Sequence, residues 1–132
     1  MASTKLLKKL RMQPNQRVLI LNAPDRYLDE LGPLPEGVGL VQEPEGNLDF
    51  VHVFAKDLAD LEKLAPLAAE AVKRDGLFWV SYPKKSSGVE SDLSRDVVWQ
   101  EVAKAGLRAV TQVSVNDVWS AIRFRPADKV GE

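Results

Sequence analysis

The segment of this chain best equipped for chemistry is Lys84-Lys-Ser-Ser-Gly88, followed at a short distance by Arg95. It leaves the end of an apolar run and precedes a helical pattern. Its backbone N–H groups, hydroxyls and lysine charges can therefore face an anion, with the helix dipole adding partial positive charge. Arg95, in the first turn of that helix, has the fork geometry for a bidentate phosphate or carboxylate contact. The G-x-x-x-x-G-K-[ST] spacing of a P-loop is absent, so no nucleoside-triphosphate cradle is implied. The competing reading is a polar surface turn with solvated lysines, in which Ser91 or Asp92 merely caps the helix. Glu90, Asp92 and Asp96 lie close by and partly cancel a positive field there, less so if Asp92 is taken up in capping or in pairing with Arg95.

His52 is the only histidine and stands between Val51 and Val53 in another apolar run. General acid–base work requires it to face a cleft with a carboxylate in reach. The simpler expectation is a packed histidine bonded to a neighbour. With one His and no Cys, there is no disulfide framework or thiol nucleophile, and a catalytic zinc site is not expected. No G-x-S-x-G, H-E-x-x-H or D-x-D-x-D-G pattern occurs, so nucleophilic and metal-dependent catalysis both lack a signature. Trp79, Trp99 and Trp119 fall on a strand, a helix and a final hairpin and are expected to be core or interface side chains. An exposed Trp99 beside Arg95 changes that reading.

The elements that must position these residues follow from the apolar pattern. Thr4–Arg11 places Leu6, Leu7 and Leu10 at helical spacing, and Pro14-Asn15 then makes a turn. Arg17–Asn22, Asp49–Phe54 and Leu77–Tyr82 are largely continuous apolar runs, the form taken by strands buried on both faces of a parallel sheet. Between them lie one or two helical turns over Pro24–Leu31, a short strand over Val38–Gln42, and a helix over Asp57–Lys73. That helix has Asp57 as N-cap, is kinked or split near Ala65 by Pro66, and ends by Gly76. A helix over Asp92–Ala105 ends at Gly106. Two β-rich runs, Leu107–Val115 and Val118–Arg125, then flank Asn116-Asp117, a pair suited to an antiparallel hairpin.

Composition sets the class. The 132 residues are 45% hydrophobic and 28% charged, a globular balance at single-domain size. Net charge is −1, which exerts no general pull on nucleic acid. Residues 1–17 nevertheless hold five basic and no acidic side chains, and residues 25–62 hold ten acidic and two basic ones. A solvated basic helix beside an acidic face accounts for this; a nucleic-acid contact through the basic end is the less favoured alternative. Lysines and Arg11 interrupt the N-terminal leucines, so neither a signal peptide nor a membrane span is expected.

Met12–Asn22 resembles the entry into the first strand of class I S-adenosylmethionine-dependent methyltransferases. Asp49–Phe54 and Asp75–Pro83 are similar to two later strands of that fold, and the Asn116-Asp117 hairpin to its antiparallel end. The resemblance implies an acidic residue near the end of the first strand and alternating glycines that let the backbone approach the cofactor. In this chain the acidic position falls on Ile20 and the glycine positions on Asn22, Pro24 and Arg26, whose side chains oppose that approach. The chain is also shorter by a strand–helix unit. Leu77–Lys84 and Asp117–Arg125 resemble more closely a family of small uncharacterised bacterial proteins, a domain of unknown function, which supports the fold and implies no activity.

These readings combine into a three-layer, Rossmann-like (methyltransferase-like) α/β domain with a mostly parallel sheet of about six strands and a C-terminal antiparallel hairpin. It is expected to form one domain over residues 1–132, with an N-terminal helix and turn over 1–16 and a disordered tail over 126–132. The expected function is that of a non-catalytic, degenerate methyltransferase-like domain of the cytoplasm. It binds a small anionic ligand through Asn22, Lys84, Lys85, Ser86, Ser87, Gly88 and Arg95, or else a protein partner. No membrane partner, metal ligand or catalytic residue is assigned. The alternative is a divergent methyltransferase using Asn22 and the 84–88 loop, and only that reading brings S-adenosylmethionine as cofactor.

Overall fold

The computed structural model describes residues 2–127, with the backbone alone described for residues 2–5 and for Ser86. In chain order the elements are α1 (Ala2–Leu10), β1 (Arg17–Leu21), α2 (Tyr27–Leu31), β2 (Gly39–Val41), β3 (Leu48–Phe54), α3 (Leu58–Ala71), β4 (Val72–Pro83), a 3-10 turn over Lys85–Ser87, α4 (Arg95–Ala103), β5 (Leu107–Ser114) and β6 (Trp119–Pro126). One six-stranded sheet has the order β2-β1-β3-β4-β6-β5. The first four strands run parallel, and β6 and β5 close the sheet as an antiparallel pair, as expected.

Strand alternation assigns the two faces. Phe50, Phe54 and Trp79 point to the side covered by α1 and α2, where Leu10, Tyr27 and Leu31 are fully buried. Val51, Val53 and Val80 point to the side covered by α3 and α4, against Leu61, Ala68, Val98 and Val102. Burial on both faces is why β3 and the second half of β4 read as continuous apolar runs. The indole Nε1 of Trp79 donates to the main-chain oxygen of Leu10 over 2.9 Å, fastening α1 to the middle of the sheet. No helix among the described residues is long and apolar enough to cross a membrane.

Several local expectations are corrected. α3 runs unbroken from Leu58 to Ala71 through Pro66. The helix is therefore not split at Pro66, which lies on the exposed side and removes one helical donor, while Ala65 and Ala68 beside it stay buried. β4 begins at Val72, ahead of Gly76. Leu48 pairs with Val72 and Phe50 with Leu77, so an irregular segment containing Asp75 at φ 59° is inserted between the two pairs. Arg125 of β6 grips both oxygens of the Asp75 carboxylate at 2.8 and 2.9 Å. α4 starts at Arg95 and is capped by Ser94, whose hydroxyl accepts from the Val97 N–H at 3.3 Å. Ser91 and Asp92 serve elsewhere: Ser91 Oγ donates to the Lys56 oxygen at 2.6 Å, and Asp92 Oδ1 accepts from the Leu58 N–H at 2.8 Å. β6 continues through Pro126, and from residue 128 the expected disordered tail lies outside the described residues.

Candidate functional site

β1 and β3 are neighbours, yet the chain leaves them toward opposite faces, into α2 and α3. Their carboxyl ends form the switch point at which ligands of open α/β sheets commonly bind. Asn22 lies across it. Its backbone has φ 60°, the left-handed region that asparagine tolerates better than most residues. Its Nδ2 donates to the Phe54 oxygen at 2.9 Å and to Asp60 Oδ2 at 3.4 Å. Asp60 Oδ2 also accepts from the Lys56 N–H at 3.2 Å, so the exits of β1 and β3 and the start of α3 share one polar knot.

Below the knot, Tyr27 is fully buried, with its ring edge-on to Phe54 at 4.7 Å between centroids. Its hydroxyl lies 2.6 Å from His52 Nδ1, and His52 Nε2 lies 2.6 Å from Ser81 Oγ. Burial pushes the imidazolium pKa down to about 3 and the Tyr27 phenol well above its ordinary value, the Glu30 carboxylate adding to the latter. The neutral ring donates through one nitrogen and accepts through the other. His52 is thus a packed, fully hydrogen-bonded core residue, as expected, with no exposure through which to exchange protons with a substrate.

The residues around the β1 exit do not fit S-adenosylmethionine held in the manner the glycine loop permits. Pro24 and Arg26 fall where the resemblance places glycines, the Asn22 amide bridges the ends of β1 and β3, and Tyr27 is buried beneath it. Among the described residues, no group of His, Asp and Glu side chains is arranged to hold a metal ion.

The cationic residues meet elsewhere at the same end of the sheet. Lys84, Lys85 and Arg95 line a cleft of about 510 Å³, with Gln112 and Tyr82 in its wall. Asp96 also faces it, so among the described lining residues three cations stand against one carboxylate. Lys84 is anchored at its main chain, where its N–H donates to the Val118 oxygen at 2.7 Å, and at its tip, where Nζ donates to Ser114 Oγ at 2.7 Å. Gln112 Nε2 donates to Tyr82 Oη at 3.0 Å and to Ser120 Oγ at 2.8 Å, which fixes the amide in the wall.

The remaining candidates divide. Ser87 shapes the turn: its hydroxyl donates to the Lys84 oxygen at 2.6 Å and accepts from the Val89 N–H at 3.2 Å. Gly88 closes the turn at φ 80°, a conformation that favours glycine. Neither lines the cleft, Asn22 lies apart from it, and the Ser86 side chain is outside the described atoms. Sequence reasoning did not assign Gln112 or Trp99 to a site. Trp99 is 45% exposed, and the Arg95 guanidinium lies 5.6 Å from its ring centroid. Their i, i+4 spacing on α4 was the available signal.

No protein-family model and no curated protein matches the chain. Solved structures do. A SAM-dependent methyltransferase from Aquifex aeolicus superimposes with a TM-score of 0.58 at 14% identity, over 92% of this chain and 88% of that one. The N-methyltransferase NodS from Bradyrhizobium japonicum WM9, in complex with S-adenosyl-L-homocysteine, gives 0.62 at 12% identity over 94% and 85%. The fold is that of class I S-adenosylmethionine-dependent methyltransferases. A complex between the Haloferax volcanii Trm112 methyltransferase activator and a putative methyltransferase gives 0.62 at 11% identity, over 95% and 89%. This methyltransferase-like likeness is one of fold, and function has to be argued from the site.

Proposed function

We propose that this chain is a non-catalytic methyltransferase-like domain that binds a small anion between the β4–α4 loop and the β5–β6 hairpin. The observation that carries the reading is the convergence of Lys84, Lys85 and Arg95 on one cleft. Arg95 offers a planar fork and Lys85 a mobile ammonium, a pairing suited to phosphate or carboxylate oxygens. Ser87 and Gly88 serve the site indirectly by holding the turn that presents Lys84 and Lys85. Asn22, proposed from the sequence as a ligand contact, is instead read as a lock on the switch point, which speaks against methyl transfer.

A thermal-shift comparison of pyrophosphate with S-adenosylmethionine tests this. A ligand present at about 100 times its Kd adds roughly 2.7 kcal/mol to stability. Pyrophosphate is expected to raise Tm with increasing concentration while S-adenosylmethionine leaves it unchanged. The opposite pattern favours a divergent methyltransferase, and no shift with either ligand counts against an anion site.

A further inference from the structure

The anion cleft does not end at Arg95. A second hollow of about 240 Å³ shares Arg95 and Gln112 with it and continues along the groove between α4 and β5, walled by Trp99, Ala109, Val110 and Ile122. The two hollows differ in chemistry: the first holds the lysines, the second an indole, three aliphatic side chains and Thr111. Arg95 stands at their junction, above the Trp99 ring. At 5.6 Å from the ring centroid the guanidinium is within cation–π range of the indole face, and its planar fork can still donate to an anion. Trp99 is 45% exposed on a helix whose other large apolar residues are buried or partly buried, so its ring is accessible from this hollow.

We infer that the ligand is an anion joined to a flat aromatic group, of the class of a nucleoside monophosphate. The phosphate lies against Lys84, Lys85 and Arg95, and the ring slots beside Trp99 against Ala109 and Val110. Such a ligand uses both hollows at once, whereas a bare phosphate fills only the first. This inference rests on the anion reading and adds the aromatic specificity.

The test titrates inorganic phosphate, ribose 5-phosphate, adenosine and AMP into the full chain by calorimetry, with Trp99→Ala and Trp99→Phe as variants whose fold is checked by circular dichroism. AMP is expected to bind at least roughly fivefold more tightly than ribose 5-phosphate, the low end of base–aromatic stacking. Trp99→Ala removes that advantage, so that AMP and ribose 5-phosphate bind with equal affinity, and Trp99→Phe retains part of it. Equal affinity for AMP and ribose 5-phosphate, or an AMP preference that survives Trp99→Ala, overturns the aromatic inference while leaving the anion site standing. Adenosine binding as tightly as AMP, or no binding by any phosphate, overturns the anion reading as well.

Discussion

The side-chain amide of Asn22 donates to the main-chain oxygen of Phe54 over 2.9 Å, joining the carboxyl ends of β1 and β3 where a class I methyltransferase-like sheet is expected to open. Asn22 holds a left-handed backbone, at φ 60°, and its side chain bridges the two strand ends. The open, cation-lined cleft lies on the other side of β4, toward the hairpin.

That geometry separates two contributions at Asn22. Asn22→Ala loses the hydrogen bonds and forces an alanine into the left-handed region, for a combined cost of about 2 kcal/mol. Asn22→Gly loses the same bonds without the strain and is expected to be about 1 kcal/mol less destabilised. Urea denaturation of both variants measures the difference. Equal midpoints, or a more stable alanine variant, contradict the bridge as described.

His52 gives the chain a defined acid sensitivity. Its pKa is about 3 in the folded protein against 6.5 in an exposed histidine. Between those values the unfolded chain binds a proton that the folded protein rejects. The stability from the neutral ring is therefore complete above pH 6.5 and is lost progressively as pH falls toward 3. His52→Gln fills much of the same space and does not titrate. Its stability is expected to fall less steeply than wild type between pH 6 and 4, by up to about 1.4 kcal/mol per pH unit. Parallel curves from chemical denaturation at a series of pH values contradict this.

Trp79 fastens α1 by one bond from a fully buried indole to the oxygen of the equally buried Leu10. Trp79→Phe keeps an aromatic ring and strands that oxygen, at a cost of about 1–3 kcal/mol beyond the loss of ring volume. Amide exchange is expected to accelerate in α1 more than in β3. Uniform acceleration across the sheet counts against a specific tie.

Much of this arrangement is legible in the residue pattern because it depends on burial. Val18-Leu19, Phe50–Phe54 and Phe78–Val80 are apolar on both faces of their strands, and Asn116-Asp117 stands between two strands that do pair. The errors arise where several residues can perform one local task. Ser91, Asp92 and Ser94 are all competent caps, and only the packing of the 84–94 loop on α3 assigns the first two to Lys56 and Leu58. The start of β4 is hidden because Lys73 and Arg74 are exposed and carry no apolar signal. The Lys84, Lys85 and Arg95 cluster follows from one loop and the helix after it, but Gln112 reaches the cleft from β5 only because β6 pairs with β4, which local sequence does not reveal. The part played by Asn22 likewise depends on the register that sets Leu21 beside Val53.

The central claim, an anion site in the cleft in place of a cofactor site at the switch point, is tested most directly by calorimetric titration of pyrophosphate and of S-adenosylmethionine into wild type and Lys85→Gln/Arg95→Gln. At about 1.5–3 kcal/mol for each charge-assisted contact, the double substitution is expected to weaken pyrophosphate by about a hundredfold or more, with circular dichroism unchanged. S-adenosylmethionine is expected to give no heat of binding with either protein. Pyrophosphate affinity that ignores the double substitution, or micromolar binding of S-adenosylmethionine by wild type, contradicts the account.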